Sequence, residues 1–128
     1  MPELTDAERL DLNRQIAEWM GWTQLRGNLY GKHPSRSGHF LEVVPDFTRD
    51  WYAMELVVER LNELGWVVRL YAYPDGTGAC NLVRYTEDGQ HLRAAKDTEG
   101  STLPETVGWA ALKVPNVKEA SDADSQRT

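Results

Sequence analysis

The chain has 128 residues, of which 41% are hydrophobic, with five tryptophans, one cysteine and a formal net charge of −6. This length predicts a single domain that buries about two-thirds of its unfolded surface. A single cysteine excludes an internal disulfide and a cysteine-rich zinc site. No apolar run approaches the roughly 20 residues of a membrane span. The acidic net charge argues against a protein that binds duplex DNA.

The N-terminal segment is polar and acidic, unlike a secretory signal or a transit peptide, which predicts a cytoplasmic protein. A helix is predicted near residues 5–20, because Thr5 and Glu8 match a capping box, in which each side chain accepts a free backbone N–H. Its apolar positions recur on one face, at Leu12, Ile16 and Trp19. Gly21 is a natural stop, and residues 22–30 predict a short strand pair or a strand and a loop.

The second helix is predicted near residues 48–64, with Thr48 as its cap and Gly65 as its stop. Apolar residues at three- and four-residue spacing form one stripe, which consists of Trp51, Met54, Val57, Val58, Leu61 and Leu64. We expect the stripe to be core, with Met54, Val58 and Leu61 buried against the sheet that follows.

Three strands come next, rich in β-branched and aromatic residues and separated by glycine-containing turns. They are predicted near residues 66–73, 79–86 and 90–95. Short turns between consecutive strands predict an antiparallel meander. Residues 97–101 are expected to form a polar loop. Cys80 lies inside an apolar strand, so we expect it to be buried and unreactive.

The third helix is predicted near residues 102–113, since Thr102 and Glu105 match a second capping box and Pro104 falls in the first turn, where its missing N–H costs nothing. Helices around an antiparallel meander predict a layered α+β fold. No apolar periodicity continues after residue 114. The sequence therefore predicts one domain over residues 1–114 and a disordered tail over 115–128.

Three stretches carry motifs that end the first helix, open and continue the second, and form the third. They contain Met20, Gly21 and Trp22; Phe47, Thr48 and Asp50; Val57, Val58, Glu59 and Leu61; and Thr102, Pro104, Ala110, Ala111, Leu112 and Lys113. In this order the motifs resemble the phage ABA sandwich domain family. The resemblance implies an α-β-α sandwich and a phage or prophage protein acting in the cytoplasm of a bacterial host. That family is defined by architecture and genomic setting, so the resemblance implies little about activity.

The segment from Tyr30 to His39 carries two cations, Lys32 and Arg36, and no acid. Its glycines and serines free backbone N–H groups to point inward, and Lys with Arg complements a phosphate or a carboxylate. The alternative is an exposed loop whose charge only aids solubility. A Walker A loop is excluded, because three residues rather than four separate Gly27 from Gly31 and no Ser or Thr follows the lysine.

Arg49 lies at the start of the second helix, where a cation is unfavourable unless an anion is bound nearby. Asp50 suits that helix end as a cap, which is the alternative structural role for this segment. The basic loop precedes the helix closely enough to fold over its N-terminus. We therefore predict one anion site formed by Lys32, Arg36, Arg49 and Trp51, with the tryptophan as a stacking face.

Arginines and tyrosines also decorate the meander, at Arg69, Tyr71, Tyr73, Arg84 and Tyr85. Such residues on a sheet can stack bases and hold phosphates. The alternative is the ordinary solvent face of a sheet, with weak cross-strand pairs.

The remaining inventory predicts neither an enzyme nor a cofactor. The three histidines lack the spacing of metal ligands, and no Ser–His–Asp group stands out. In the phage setting that the resemblance implies, we hold two hypotheses: sequestration of an anionic nucleotide signal of host immunity, or a module that binds and inhibits or adapts a host protein. Exposed tryptophans such as Trp51 and Trp109 would serve the second. Five tryptophans compete for a small interior, which predicts a homodimer.

Overall fold

In a computed structural model of the chain, residues 3–27, 29–35, 40–85 and 91–117 are described. In chain order they form α1 (Asp6–Trp19), β1 (Thr23–Arg26), β2 (Tyr30–Lys32), β3 (Glu42–Val43), α2 (Trp51–Glu63), β4 (Val67–Ala72), β5 (Gly78–Tyr85), β6 (His91–Gly100) and α3 (Leu103–Ala111). The strands make two antiparallel sheets, ordered β1-β2-β3 and β4-β5-β6. The predicted α+β class and the antiparallel meander are confirmed.

The start of α1 follows the local sequence signal. Thr5 donates its N–H to Glu8 Oε1 at 2.9 Å, and Glu8 donates its N–H to Thr5 Oγ1 at 3.1 Å. Gly21 follows the helix with φ +100°, a conformation that side chains other than glycine rarely adopt. The predicted capping box and stop of the first helix are confirmed.

The start of α2 differs from the prediction. Asp50, not Thr48, is the N-cap, and its Oδ1 accepts the N–H of Tyr52 at 2.9 Å. Thr48 is fully buried in the preceding turn, where its hydroxyl donates to Asp46 Oδ1 at 2.6 Å. The prediction of Thr48 as the cap is wrong, because its hydroxyl is used inside that turn before the helix begins.

The apolar stripe of α2 is turned slightly from the predicted face. Ala53, Met54, Val57 and Leu61 are its buried residues, and Val58 is partly buried against the same core. Trp51 is 58% exposed, so it does not share the burial expected of the stripe, and its ring lies at the surface, as its predicted stacking role requires. It occupies the first position of the helix, outside the row that faces the sheet.

The third strand of the meander is longer than predicted. β6 pairs with β5 as far as Gly78 and Gly100, with Cys80 opposite Thr98, so the prediction of a polar loop over residues 97–101 is wrong. Thr98 is buried, and a Cβ at Gly100 would come within 2.5 Å of Thr106 Oγ1. Close packing on α3 thus holds a polar segment in the sheet. The predicted turn over residues 87–89 lies outside the described residues.

Helices α2 and α3 cover one face of the β4-β5-β6 sheet, and α1 packs against α3. One apolar core joins these elements and includes Leu12, Ile16, Phe47, Val57, Leu61, Leu82 and Val107. Asn116 donates to the carbonyl of Trp19 at 2.5 Å and accepts from Arg60 Nε at 2.5 Å, so the packed chain continues past residue 114. Residues 118–128 of the predicted tail lie outside the described part. Among the described helices, none is long and apolar enough to cross a membrane.

Candidate ligand-binding groove

A groove of about 390 Å³ lies where the start of α2, the β4–β5 turn and the start of α3 meet. Its walls include Arg49 and Trp51 from the α2 side, Tyr73 and Thr77 from the turn, and Thr102 and Leu103 from α3. We refer to it as the Arg49 groove. Its volume falls in the range of small-molecule pockets, about 300–1,000 Å³.

The starts of α2 and α3 are held next to each other by Thr48 and Thr102. Thr102 Oγ1 donates to the carbonyl of Thr48 at 3.4 Å and accepts the N–H of Glu105 at 3.3 Å. Thr48 is itself fixed by Asp46, and the N–H of Arg49 donates to the carbonyl of Asp46 at 3.3 Å. Hydrogen bonds to Asp46 and to Thr102 therefore fix the backbone at Arg49 before α2 begins.

A second buried contact fixes the first turn of α3. Glu105 is 1% exposed; its Oε2 accepts from the hydroxyl of Ser101 and its Oε1 lies 3.4 Å from Arg9 Nε. The predicted capping box is thus only half formed: Thr102 caps the helix, but the Glu105 carboxylate binds α1 instead of returning to the cap. This contact ties the wall of the groove to α1.

The β4–β5 turn forms the opposite wall. Asp75 Oδ1 accepts the N–H of Thr77 at 3.0 Å and its hydroxyl at 2.6 Å, and these bonds lower the pKa of Asp75. Tyr73 and Thr77 are joined by a backbone hydrogen bond of 2.9 Å. Gly78 allows the close approach of α3, because a Cβ would come within 2.5 Å of the Leu103 side chain and would force it to shift. Tyr73 therefore sits on a well-defined turn.

Arg49 is the one charged residue among the described residues that line the groove. It forms no ion pair with a described carboxylate. Trp51 and Tyr73 remain 58% and 47% exposed beside it. Both threonine hydroxyls already donate within the protein, so the cation and the two rings are the groups left to contact a ligand.

This arrangement suits a flat aromatic ligand with an anionic group. A base stacked on an aromatic side chain gains about 1–3 kcal/mol, and Arg binds phosphate or carboxylate with charge-assisted hydrogen bonds. The N-terminus of α2 takes little part, because the Asp50 carboxylate already accepts one of its N–H groups and supplies the favourable negative charge. An anion in the groove therefore depends on Arg49.

The four residues of the predicted anion site have different positions. Arg49 and Trp51 lie together in the groove. Lys32 pairs with Thr23 in the small β1-β2-β3 sheet and is not among the groove residues. Arg36 lies outside the described residues. Tyr73 is predicted only as part of the sheet, whereas the structure adds it to the groove; its position directly before a Pro-Asp-Gly turn is the local signal for a ring held at a turn.

The two arginines of the meander have different environments. The guanidinium of Arg84 lies over the ring of Trp66, 3.9 Å from its centroid, and Nη2 donates to the carbonyl of Leu64 at 3.4 Å. Arg84 therefore links β5 to the end of α2. Arg69 is exposed on β4, on the same strand as Tyr71.

Cys80 lies in the centre of the sheet and is fully buried. Burial raises the pKa of its thiol to about 12, so the thiolate is not formed near neutral pH. The predicted burial of this cysteine is confirmed. Among the residues that the structure describes, no group of three or more His, Cys, Asp or Glu side chains is arranged to hold a metal ion.

Comparison with known proteins finds no match: no family model, no curated protein and no solved structure is significantly similar to this chain. The fold assignment therefore rests on the structure, and the resemblance to the phage ABA sandwich family stays a prediction.

Proposed function

We propose that this chain is a binding protein whose Arg49 groove holds a small anionic ligand with an aromatic ring, of the nucleotide type. The observation that carries the proposal is the meeting of Arg49, Trp51 and Tyr73 in one groove whose described lining has no carboxylate. Arg49 and Trp51 come from the start of α2, and Tyr73 comes from the β4–β5 turn, which is distant in the sequence. Their shared exposure in one concave site is what ligand recognition requires.

The physical basis is stacking combined with one charge-assisted contact. The rings of Trp51 and Tyr73 offer apolar faces to a base, and the Arg49 guanidinium offers paired donors to a phosphate. Because these groups are partly exposed, the charged contact is screened by salt, and binding should weaken as ionic strength rises. The described lining holds no histidine, cysteine or acid. The groove therefore offers occupancy rather than chemical conversion.

The resemblance to the phage ABA sandwich family supplies a biological setting for such a protein. In that setting it would be a phage or prophage accessory protein that acts in the host cytoplasm by sequestering a nucleotide signal of host immunity. This part of the proposal rests on the sequence motifs around Trp22, Asp50 and Pro104. The groove itself supports only the chemical class of the ligand.

Calorimetry with a panel of nucleotides and cyclic nucleotides tests the proposal. We expect Arg49→Ala to lose about 1.5–3 kcal/mol of binding free energy, the range of a charged hydrogen bond, and Trp51→Ala to lose about 1–3 kcal/mol. Lys32→Ala is the matched control, since it removes a cation that does not line the groove. Absence of binding, or equal effects of the arginine and lysine substitutions, would overturn the proposal.

A second candidate is recognition of a host protein. It is favoured by two neighbouring exposed aromatics at the start of α2, Trp51 at 58% and Tyr52 at 68% exposure, because exposed aromatic residues are enriched in interfaces. Trp109 is partly buried against the core and does not add to this surface. A host complex that survives purification and is lost in Tyr52→Ala, in a chain that binds no nucleotide, would support this candidate over the first.

A further inference from the structure

Strand β4 forms one edge of the β4-β5-β6 sheet, and β5 is its one strand neighbour in the described part of the chain. Its pairing with β5 is continuous from Val67 to Ala72, without a bulge, and it contains no proline. Proteins normally protect such an edge with prolines, bulges or several charges. β4 has a single charge, Arg69, and therefore remains a template for pairing with another strand.

The side chains of β4 are exposed to an unusual degree for a strand beside a core. Val67, Leu70 and Tyr71 are 38%, 38% and 45% exposed. Leu70 lies opposite Cys80, which belongs to the core, so Leu70 is on the face covered by helices. An apolar side chain on the covered face is thus left open at the sheet edge.

We propose that two copies of this chain pair antiparallel through β4, about a twofold axis at Leu70, to form one six-stranded sheet. In this register Leu70 of one chain faces Leu70 of the other chain across the axis. Arg69 of each copy lies opposite Tyr71 of the other, where a cation–π contact is favourable. Leu70 and Tyr71, the exposed large side chains nearest the axis, then each face a side chain of the other copy.

Charge and strand length select this register over its neighbours. Directly opposite residues in an antiparallel pair point to the same face of the sheet. The twofold axis must therefore lie midway between the two copies of one residue, and the helices of both copies then lie on the same face of the joined sheet. An axis at Arg69 would place the two guanidinium groups opposite each other, which is destabilising. An axis at Tyr71 would pair fewer residues, because the strand ends at Ala72 and Pro74 follows. The axis at Leu70 avoids both problems.

The first test is the mass of the protein in solution, measured by sedimentation over low to high micromolar concentration. We expect a dimer for the wild type. Leu70→Lys places two ammonium groups at the axis and should weaken dimerisation about a hundredfold or more. Val43→Lys is the matched control, because Val43 is 69% exposed on a strand of the other sheet. A monomeric wild type, or a Leu70→Lys chain that dimerises like the control, would overturn the proposal.

Cysteine cross-linking tests the register and does not require a disruptive substitution. Facing residues at the axis have Cα atoms about 4.5–5.5 Å apart, which suits a disulfide. Under mild oxidation Leu70→Cys should therefore give a covalent dimer. Arg69→Cys should not, because its two copies would lie roughly 8 Å apart. The buried Cys80 should stay inert in both variants. Efficient cross-linking of Arg69→Cys and not of Leu70→Cys would refute the register.

Discussion

The buried ion pair between Arg9 and Glu105 gives a sharp prediction about stability. Arg9→Met keeps most of the apolar stem of the side chain but removes the guanidinium, and the Glu105 carboxylate, 1% exposed, then has the Ser101 hydroxyl as its remaining partner. Removing one member of a buried ion pair costs about 3–5 kcal/mol. The Arg9 Nε to Glu105 Oε1 distance of 3.4 Å is long, so we expect the lower end, about 3 kcal/mol. For a domain with a stability of about 5–15 kcal/mol, this is a large loss.

The matched substitution is Glu105→Gln, which removes the charge, keeps one acceptor oxygen for Arg9 and turns an NH2 donor toward the Ser101 hydroxyl, which can accept from it; it should cost about 1–2 kcal/mol. In the double variant no buried carboxylate is left unpaired, so its loss should be smaller than the sum of the single losses. Urea unfolding followed by circular dichroism measures all three, with an unchanged slope as the sign of two-state behaviour. A loss below about 1 kcal/mol for Arg9→Met, or strict additivity in the double variant, would refute the reasoning.

Three further outcomes follow from burial and capping. Leu61→Ala should lose about 2–5 kcal/mol of unfolding free energy, since Leu61 is fully buried. The control Val43→Ala should change the unfolding free energy by less than about 0.5 kcal/mol. Similar losses in the two variants would contradict the assignment of Leu61 to the core. Cys80 should react with iodoacetamide only after unfolding, and fast labelling of the native protein would contradict its burial. The backbone and hydroxyl of Thr5 lower the pKa of Glu8 below its ordinary 4.5. Its contribution to stability is therefore present above that value and lost as pH falls through the lowered pKa, so acid melts of Glu8→Gln should show a weaker pH dependence than wild type.

Parts of the fold that depend on neighbouring residues could be predicted from the sequence. The Thr5–Glu8 capping box and the Gly21 stop need only a few consecutive residues. The cap of α2 could not be chosen locally, because Thr48 and Asp50 are both good caps. Tertiary contact decides between them: the Thr48 carbonyl accepts from Thr102, far along the chain, and its hydroxyl binds Asp46.

The end of β6 and the set of residues that line the groove also depend on contacts between residues that are distant in the sequence. The composition of the segment that ends at Gly100 predicts a polar loop. Pairing with β5 and close packing on Thr106 nevertheless keep the segment in the sheet. Arg49 and Trp51 could be predicted together because they are two residues apart. Tyr73 and Thr102 join them only through the folding of three elements, and no local pattern carries that information.

The claim that the Arg49 groove binds a nucleotide-type ligand is tested most directly by what the protein retains from a cell. Wild type, Arg49→Ala and Lys32→Ala should be purified in parallel from bacterial lysate, denatured and analysed for released small molecules by mass spectrometry. We expect a phosphate-bearing aromatic compound to be released from wild type and Lys32→Ala and to be strongly depleted from Arg49→Ala. Release of no such compound, or equal amounts from all three proteins, would contradict the claim.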